Sequence, residues 1–382
     1  MNKLVFSGYC LLFAAILLTG CPKDPTTPDN PEELEEWPEG QNVYVAGFEK
    51  IQDNSVARLW KNGAMENLTG SGGSTVRSTN VISSEALSVF VKGNDVYVAG
   101  YDVILSDGEM IGRARLWKNG AEQQLENGTL TEQAFSVFVS GNDVYVLGRE
   151  ALDPIPLSKR WVFKIWKNGK AEIFAEGTHE CQVNSIFVSG GNVYIVGCGI
   201  KSVSYNSIIT AKLWINGKEE NLTGSTNNSC AHSVFVSGSD VYVAGWDYNE
   251  PGHFSVAKYW MNGKVVNLTD GTKNAQAYSV YVSGSDIYVA GHEDFKAKLW
   301  KNGTTQDIAD ANAARALLSI FILGKDVYTA GYVEALQEVE PGSGVIPFSY
   351  LQATLWRNGK KLKLNTSGKY NNSRALSVFV SI

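Results

Sequence analysis

Three short phrases recur seven times each along the chain, always in the same order, and this repetition limits the fold more than any other feature. The first, VYVAG in its commonest form, starts at 43, 96, 144, 193, 241, 287 and 327. The second, LWKNG with small changes, starts at 59, 116, 165, 213, 259, 299 and 355. The third, SVFVSG or a variant, starts at 88, 136, 185, 233, 279, 319 and 377. A chain written this way folds as seven copies of one unit.

Each phrase is rich in β-branched and aromatic residues and runs into Gly or Asn-Gly, the pattern of strands joined by hairpins. The Gly-Asn or Gly-Ser pair between SVFV and VYVAG suits a two-residue turn that needs positive φ. Asn-Gly after the repeated tryptophan predicts a second tight turn into a short outer strand. Each repeat therefore predicts four antiparallel strands. Composition agrees, with 38 Gly, 17 Tyr, 15 Phe and 10 Trp against only 4 Met and 10 Pro.

Four-stranded units of this length fit the blades of a β-propeller better than an open stack, because of how the repeats begin and end. The first repeat opens at Val43 with a second strand lacking its first, and the last ends at Ser377–Ser381 with a first strand lacking its second. The chain reads as a ring cut at one hairpin. The expected fold class is all-β: a seven-bladed β-propeller over 41–382, closed by Ser377–Ser381 pairing with Asn42–Ala46. Closure also removes the open edge that invites wrong pairing.

Ahead of the repeats, Lys3, the apolar run Leu4–Leu18 and Leu18-Thr19-Gly20-Cys21 resemble a bacterial lipoprotein signal. The resemblance implies that residues 1–20 are a signal peptide and that Cys21 carries the lipid. The expected location is the outer membrane, lipid-anchored and facing either the periplasm or the medium. Residues 21–40 hold five prolines and seven acids and read as an acidic, Pro-rich tether. Cys-Pro-Lys-Asp is similar to the lysine-plus-acid signals that send some Bacteroidota lipoproteins to the outer face. The whole chain carries a net charge of -6, while 41–382 has 31 basic and 32 acidic residues. Nothing there forms the basic face that nucleic acid requires.

Over 41–382 the sequence resembles the repeat-bearing β-propeller lipoproteins of Bacteroidota. It lacks the Gly-His and Trp-Asp signatures of WD40 blades and the paired glycines of kelch blades, so the functions of those families do not transfer.

Residues needed identically in every blade are read as scaffold. These are Trp60, Trp117, Trp166, Trp214, Trp260, Trp300 and Trp356, the repeated serine of SVFV, and the turn aspartates Asp95, Asp143, Asp240, Asp286 and Asp326, expected on backbone amides. Function is sought where the repeats differ. The stretch between VYVAG and LWKNG varies from 7 to 23 residues, which places the variation on one face. Just after the glycine of VYVAG stand Phe48, Tyr101, Arg149, Cys198, Trp246, His292 and Tyr332. Three before the serine stand Glu85, Gln133, Gln182, Cys230, Gln276, Ala316 and Arg374.

From these rows the ligand-binding candidates are Tyr101, Trp246, His292 and Tyr332 as stacking surfaces, with Gln133, Gln182 and Gln276 as hydrogen-bonding partners. The insertion Val333–Thr354 is a candidate partner contact. Asp102, Asp107 and Glu150 are acids that could pair across the mouth. Cys181, Cys198 and Cys230 fall near the variable face, where free buried thiols, a disulfide and a weaker zinc reading with His179 and His232 are the alternatives.

Motifs of phosphate-binding loops, serine hydrolases, zinc proteases, calcium loops and sialidases are missing. The expected function is a non-catalytic binding or scaffold module for a glycan, peptide or envelope protein. The alternative is a glycan-active hydrolase or lyase at the central mouth. No cofactor or metal is expected, and the chain is expected to be a monomer.

Overall fold

The computed structural model describes residues 34–68, 80–126, 128, 130–153, 160–178, 181–201, 208–224, 227–249, 254–306, 308, 313–339 and 346–382. Within them lie seven four-stranded antiparallel sheets, each one blade. The inner strands of blades 2 to 7 are Val81–Lys92, Glu132–Ser140, Gln182–Ser189, Ser229–Ser237, Ala275–Ser283 and Ala314–Leu323. Blade 1 takes its inner strand, Ser373–Ser381, from the chain's end and its second strand, Asn42–Ile51, from the start of the repeats. Ser381 faces Asn42 and Ser377 faces Ala46, the register the repeat phase predicts. Residues 1–20, read as a signal peptide, and Cys21 lie outside the described residues. Leu34–Gly40, inside the stretch read as tether, runs against blade 7: the Glu35 amide donates to the Lys361 carbonyl at 2.8 Å, and Trp37 packs on the core beside Leu362.

Both hairpins of each blade follow the turn chemistry. The seven asparagines of Asn-Gly have φ between 46 and 52°, and the following glycines are also positive, as a two-residue I′ turn requires. Each asparagine Oδ1 also accepts the amide of the second strand's first valine or isoleucine, for example Val96 at 2.8 Å from Asn119. The turn aspartates differ from expectation. They bond side chains of the neighbouring hairpin, not backbone amides: Asp95 takes Asn119 Nδ2 at 2.9 Å and Lys118 Nζ at 2.7 Å. A short carboxylate thus ties two turns side by side, which fixes both on one face.

The repeated tryptophans are core. All seven are at most 2% exposed, packed between one blade and the next. The repeated serines join blades in a closed circuit. Ser377 Oγ accepts the Val89 amide at 3.1 Å, Ser88 takes Val137, Ser136 takes Ile186, Ser185 takes Val234, Ser233 takes Val280, Ser279 takes Ile320, and Ser319 takes Val378. Every inner strand therefore holds the next by one side-chain bond.

Two residues past each serine, seven aromatic rings close a second circuit around the axis: Phe90, Phe138, Phe187, Phe235, Tyr281, Phe321 and Phe379. Neighbouring centroids are 4.5 to 5.2 Å apart, with interplanar angles of 44 to 57°. Those angles centre on a seventh of a turn, about 51°, so the ring planes stand parallel to the axis. The spacing is too close for rings side by side in a wall, which needs roughly 6 Å or more, so they fan edge inward. Sequence reading took these residues for strand formers and did not see the rosette.

Candidate functional site

The two variable rows are register partners. Tyr101 faces Glu85, Arg149 faces Gln133, Cys198 faces Gln182, Trp246 faces Cys230, His292 faces Gln276, Tyr332 faces Ala316 and Phe48 faces Arg374. Each blade thus presents one pair at the end of its inner hairpin remote from the tight turns.

A β-bulge makes this wall. In every blade the register slips just before the serine, leaving Leu87, Phe135, Asn184, His232, Tyr278, Leu318 and Leu376 as the extra residue. The slip drives the carbonyl of the wall residue onto the VYVAG glycine. A Cβ on Gly245 would lie 2.1 Å from the Cys230 oxygen, and the other six glycines show the same approach at 2.0 to 2.1 Å. The glycine is therefore required by the bulge that turns a new side chain toward the wall. Apart from His232, weighed only as a zinc ligand, sequence reasoning missed these extra residues, although variation directly before an invariant serine was the available signal.

In blades 5 and 6 the bulged residues join two of the candidates. Trp246 Nε1 donates to His232 Nε2 at 3.1 Å, which leaves the proton of the neutral imidazole on Nδ1. The His232 ring lies 5.2 Å from Tyr278, and Tyr278 stacks on His292 at 5.5 Å and 23°. Phe295 follows at 6.3 Å from His292. The result is a continuous band of five rings, with Gln276 opposite His292 and its side-chain amide making no hydrogen bond to a described residue.

Blades 7, 1 and 2 carry charge instead. The Arg374 guanidinium lies 4.9 Å from the Tyr332 ring centroid, and no described residue accepts a hydrogen bond from it. Glu85 accepts from Ser55 Oγ at 3.4 Å and from the Tyr101 hydroxyl. Burial raises the Glu85 carboxyl above its ordinary range, and the Tyr101 bond and the Arg374 charge offset only part of that.

The other candidates are already engaged. Gln133 Oε1 accepts two bonds from Arg149 at 2.8 and 3.0 Å, while Arg149 lies over Trp161 at 4.1 Å. Gln182 Nε2 donates to Cys230 Sγ at 3.3 Å. The acids thought able to pair across the mouth pair within their own blades: Asp102 with Arg115 at 2.7 Å and Glu150 with Lys164. Asp107 sits in a tight turn at φ 52°. Glu132 shares Lys164 with Glu150 but is fully buried.

Cys181, Cys198 and Cys230 are buried and not disulfide-bonded. Among the described residues no group of His, Cys, Asp and Glu is placed to hold a metal, and His179 lies outside them. The insertion Val333–Thr354 lengthens two strands of blade 7 and exposes Leu336, Ile346 and Phe348. Tyr370 packs edge-on against Phe348 and Tyr350.

Burial, and for His232 the nearby His292, lowers both imidazoles from 6.5 to about 4. Both are neutral when folded at pH 7, whereas the unfolded chain protonates them below about 6.5. Their stabilising contribution is therefore complete above pH 6.5 and is lost as pH falls toward 4. The loss is about 2 kcal/mol for each half-buried ring. Urea unfolding at pH 7 and pH 4.5 checks this: the His232→Gln, His292→Gln variant should lose less stability between the two pH values than wild type, and an equal loss refutes it.

No family model and no curated protein matches the chain. Similar solved structures include the computationally designed Ika8 protein, with TM-score 0.41 and 15% identity over 88% of this chain and 96% of that one. The β-propeller domain of the Trilobed protease from Pyrococcus furiosus has TM-score 0.47 and 10% identity over 86% and 95%. A puromycin-hydrolyzing peptidase of Mycobacterium tuberculosis has TM-score 0.49 and 10% identity over 84% and 54%. Likeness at this level carries no functional argument, and the fold stands on the chain's own sheet topology.

Proposed function

We propose that this protein is a lipid-anchored envelope β-propeller that binds its ligand without transforming it, on the wall of the variable face. The observation that carries this reading is the band Trp246, His232, Tyr278 and His292, built on a scaffold whose other residues repeat blade after blade. Flat, uncharged rings beside the amide of Gln276 suit a sugar ring, which stacks its C–H face on aromatics and turns its hydroxyls to amides. We therefore place a glycan first, ahead of a peptide or an envelope protein. Arg374 and Tyr332 in the other sector supply a cation and a ring, and Leu336, Ile346 and Phe348 an apolar contact for a protein partner. Glu85 is the single carboxylate among the fourteen wall residues, whereas glycoside hydrolysis takes two.

A glycan array paired with a pull-down from envelope extract tests the site. The Trp246→Ala, Tyr332→Ala variant should lose a specific ligand by tenfold or more, about 1.4 kcal/mol. An unchanged binding profile would leave these rings as packing. The anchor is tested separately: Cys21→Ala should move the protein from the membrane to the soluble fraction, and retention of that variant speaks for a buried or spanning N-terminal helix.

A further inference from the structure

Two of the three thiols meet at one joint of the ring, while Cys181 packs against blade 3. Cys198 lies on the second strand of blade 4, Asn192–Lys201, opposite Gln182 of the inner strand. Cys230 lies on the inner strand of blade 5, and the two strands pack against each other across the blade interface. The Cys198 thiol donates to the Cys230 sulfur. Two amides from blade 4 converge on the same sulfur: Gln182 Nε2 at 3.3 Å and Asn184 Nδ2 at 3.6 Å. Asn184 is the bulged residue of its blade, and its Nδ2 is also anchored at 2.7 Å on the Ala231 carbonyl. One of the donors around Cys230 is thus held in place by the same bulge that builds the wall.

Burial by itself would raise the Cys230 thiol. The bonds from Cys198, Gln182 and Asn184 outweigh it and hold Cys230 below its ordinary value. Cys198 is pushed well above its own, first by its bond to Cys230 and then by burial. The attacking and the proton-bearing sulfur are therefore distinguished within the pair.

We propose that Cys198 and Cys230 are a redox pair that a disulfide oxidant converts to a bond between blades 4 and 5, with Cys181 left as a thiol. The Cys230 thiolate attacks one sulfur of the oxidant and expels its other half as a thiolate. The Cys198 thiol then gives up its proton and displaces the second half. One protein S–S bond forms, one oxidant S–S bond breaks, and two electrons leave the protein for the two thiols released. Cys230 can no longer be a thiolate acceptor, so the amide of Gln182, tied down in the dithiol form, is freed for a ligand on the wall. This last step alone rests on the binding reading given above, and the bond itself does not.

The test uses the full chain and oxidised glutathione. After oxidation, remaining thiols are blocked under denaturing conditions, the protein is reduced, and newly exposed thiols receive a second label that is mapped by peptide. The second label should appear on Cys198 and Cys230 and not on Cys181, and the Cys181→Ser variant should give the same map. In Cys198→Ser, Cys230 should stop at the mixed disulfide with glutathione and carry the second label, whereas in Cys230→Ser, Cys198 should carry the first label only. Second label on Cys181, or none on Cys198 and Cys230 in wild type, overturns the proposal. A mapped bond with glycan-array binding unchanged between oxidised and reduced protein keeps the redox pair and removes only its link to Gln182.

Discussion

Ending the chain after Asn365 should abolish the folded ring, not trim it. The truncation removes the inner strand of blade 1 and leaves Asn42–Glu49 without its eight partners in register. It also removes Ala375, Val378 and Val380 from a core that contains Val43, Val45 and Trp60. The Val89 amide loses Ser377 Oγ, Val378 no longer caps Ser319, and Phe379 leaves both ring neighbours, Phe90 and Phe321. Three buried valine or alanine side chains and a paired strand together exceed the roughly 5–15 kcal/mol that hold a domain folded. Circular dichroism and thermal melting should show no cooperative transition above room temperature. A truncated protein that melts like the full-length chain would refute the argument from ring closure.

The second large effect is expected from one added methyl group. Gly245→Ala sets a Cβ 2.1 Å from the Cys230 carbonyl oxygen and 3.0 Å from the Trp260 ring, and neither neighbour is a flexible side-chain end. Either the bulge flattens, which withdraws His232 from Trp246, or the strands part. The cost should be at least about 3 kcal/mol, a fall of roughly 5 °C or more in Tm for a ring of this size. Gly224→Ala is the matched control, since nothing lies within 4 Å of its added Cβ. Equal melting of the two variants would show that the bulge yields freely and does not set the wall.

Fold and site were legible in the sequence to different depths. Ring closure was readable because the phase of the repeat at Val43 and at Ser377 fixes which strand is missing at each end. The facing rows were readable for a related reason, since the invariant glycine and serine number every position around them. The bulge was not, because an extra residue present in all seven blades leaves the spacing constant and so leaves no trace. Tyr278 was overlooked with it, and His232 was weighed only as a metal ligand beside Cys230. What each wall residue does was also beyond a row of letters. Arg149 reaches Gln133 and occupies it, while Arg374 at its position in the other row reaches a tyrosine and keeps its donors, a difference set by side-chain reach across the wall. The serines were read as scaffold and the inner-strand aromatics as strand formers, yet they form two closed circuits that only a completed ring can make.

The rosette gives the bore a floor. With neighbouring centroids 4.5 to 5.2 Å apart in a seven-membered circuit, the centroids stand about 5.5 Å from the axis. Edge-inward rings then leave an opening about 4 Å wide, enough for a water molecule and too narrow for a pyranose or a peptide backbone. A polymer reaching the wall cannot thread through to the turn face. It can offer only a terminus or a bent segment, and it must back out the way it came. Seen from the wall, the bore is thus a blind cup whose depth is set by the rosette.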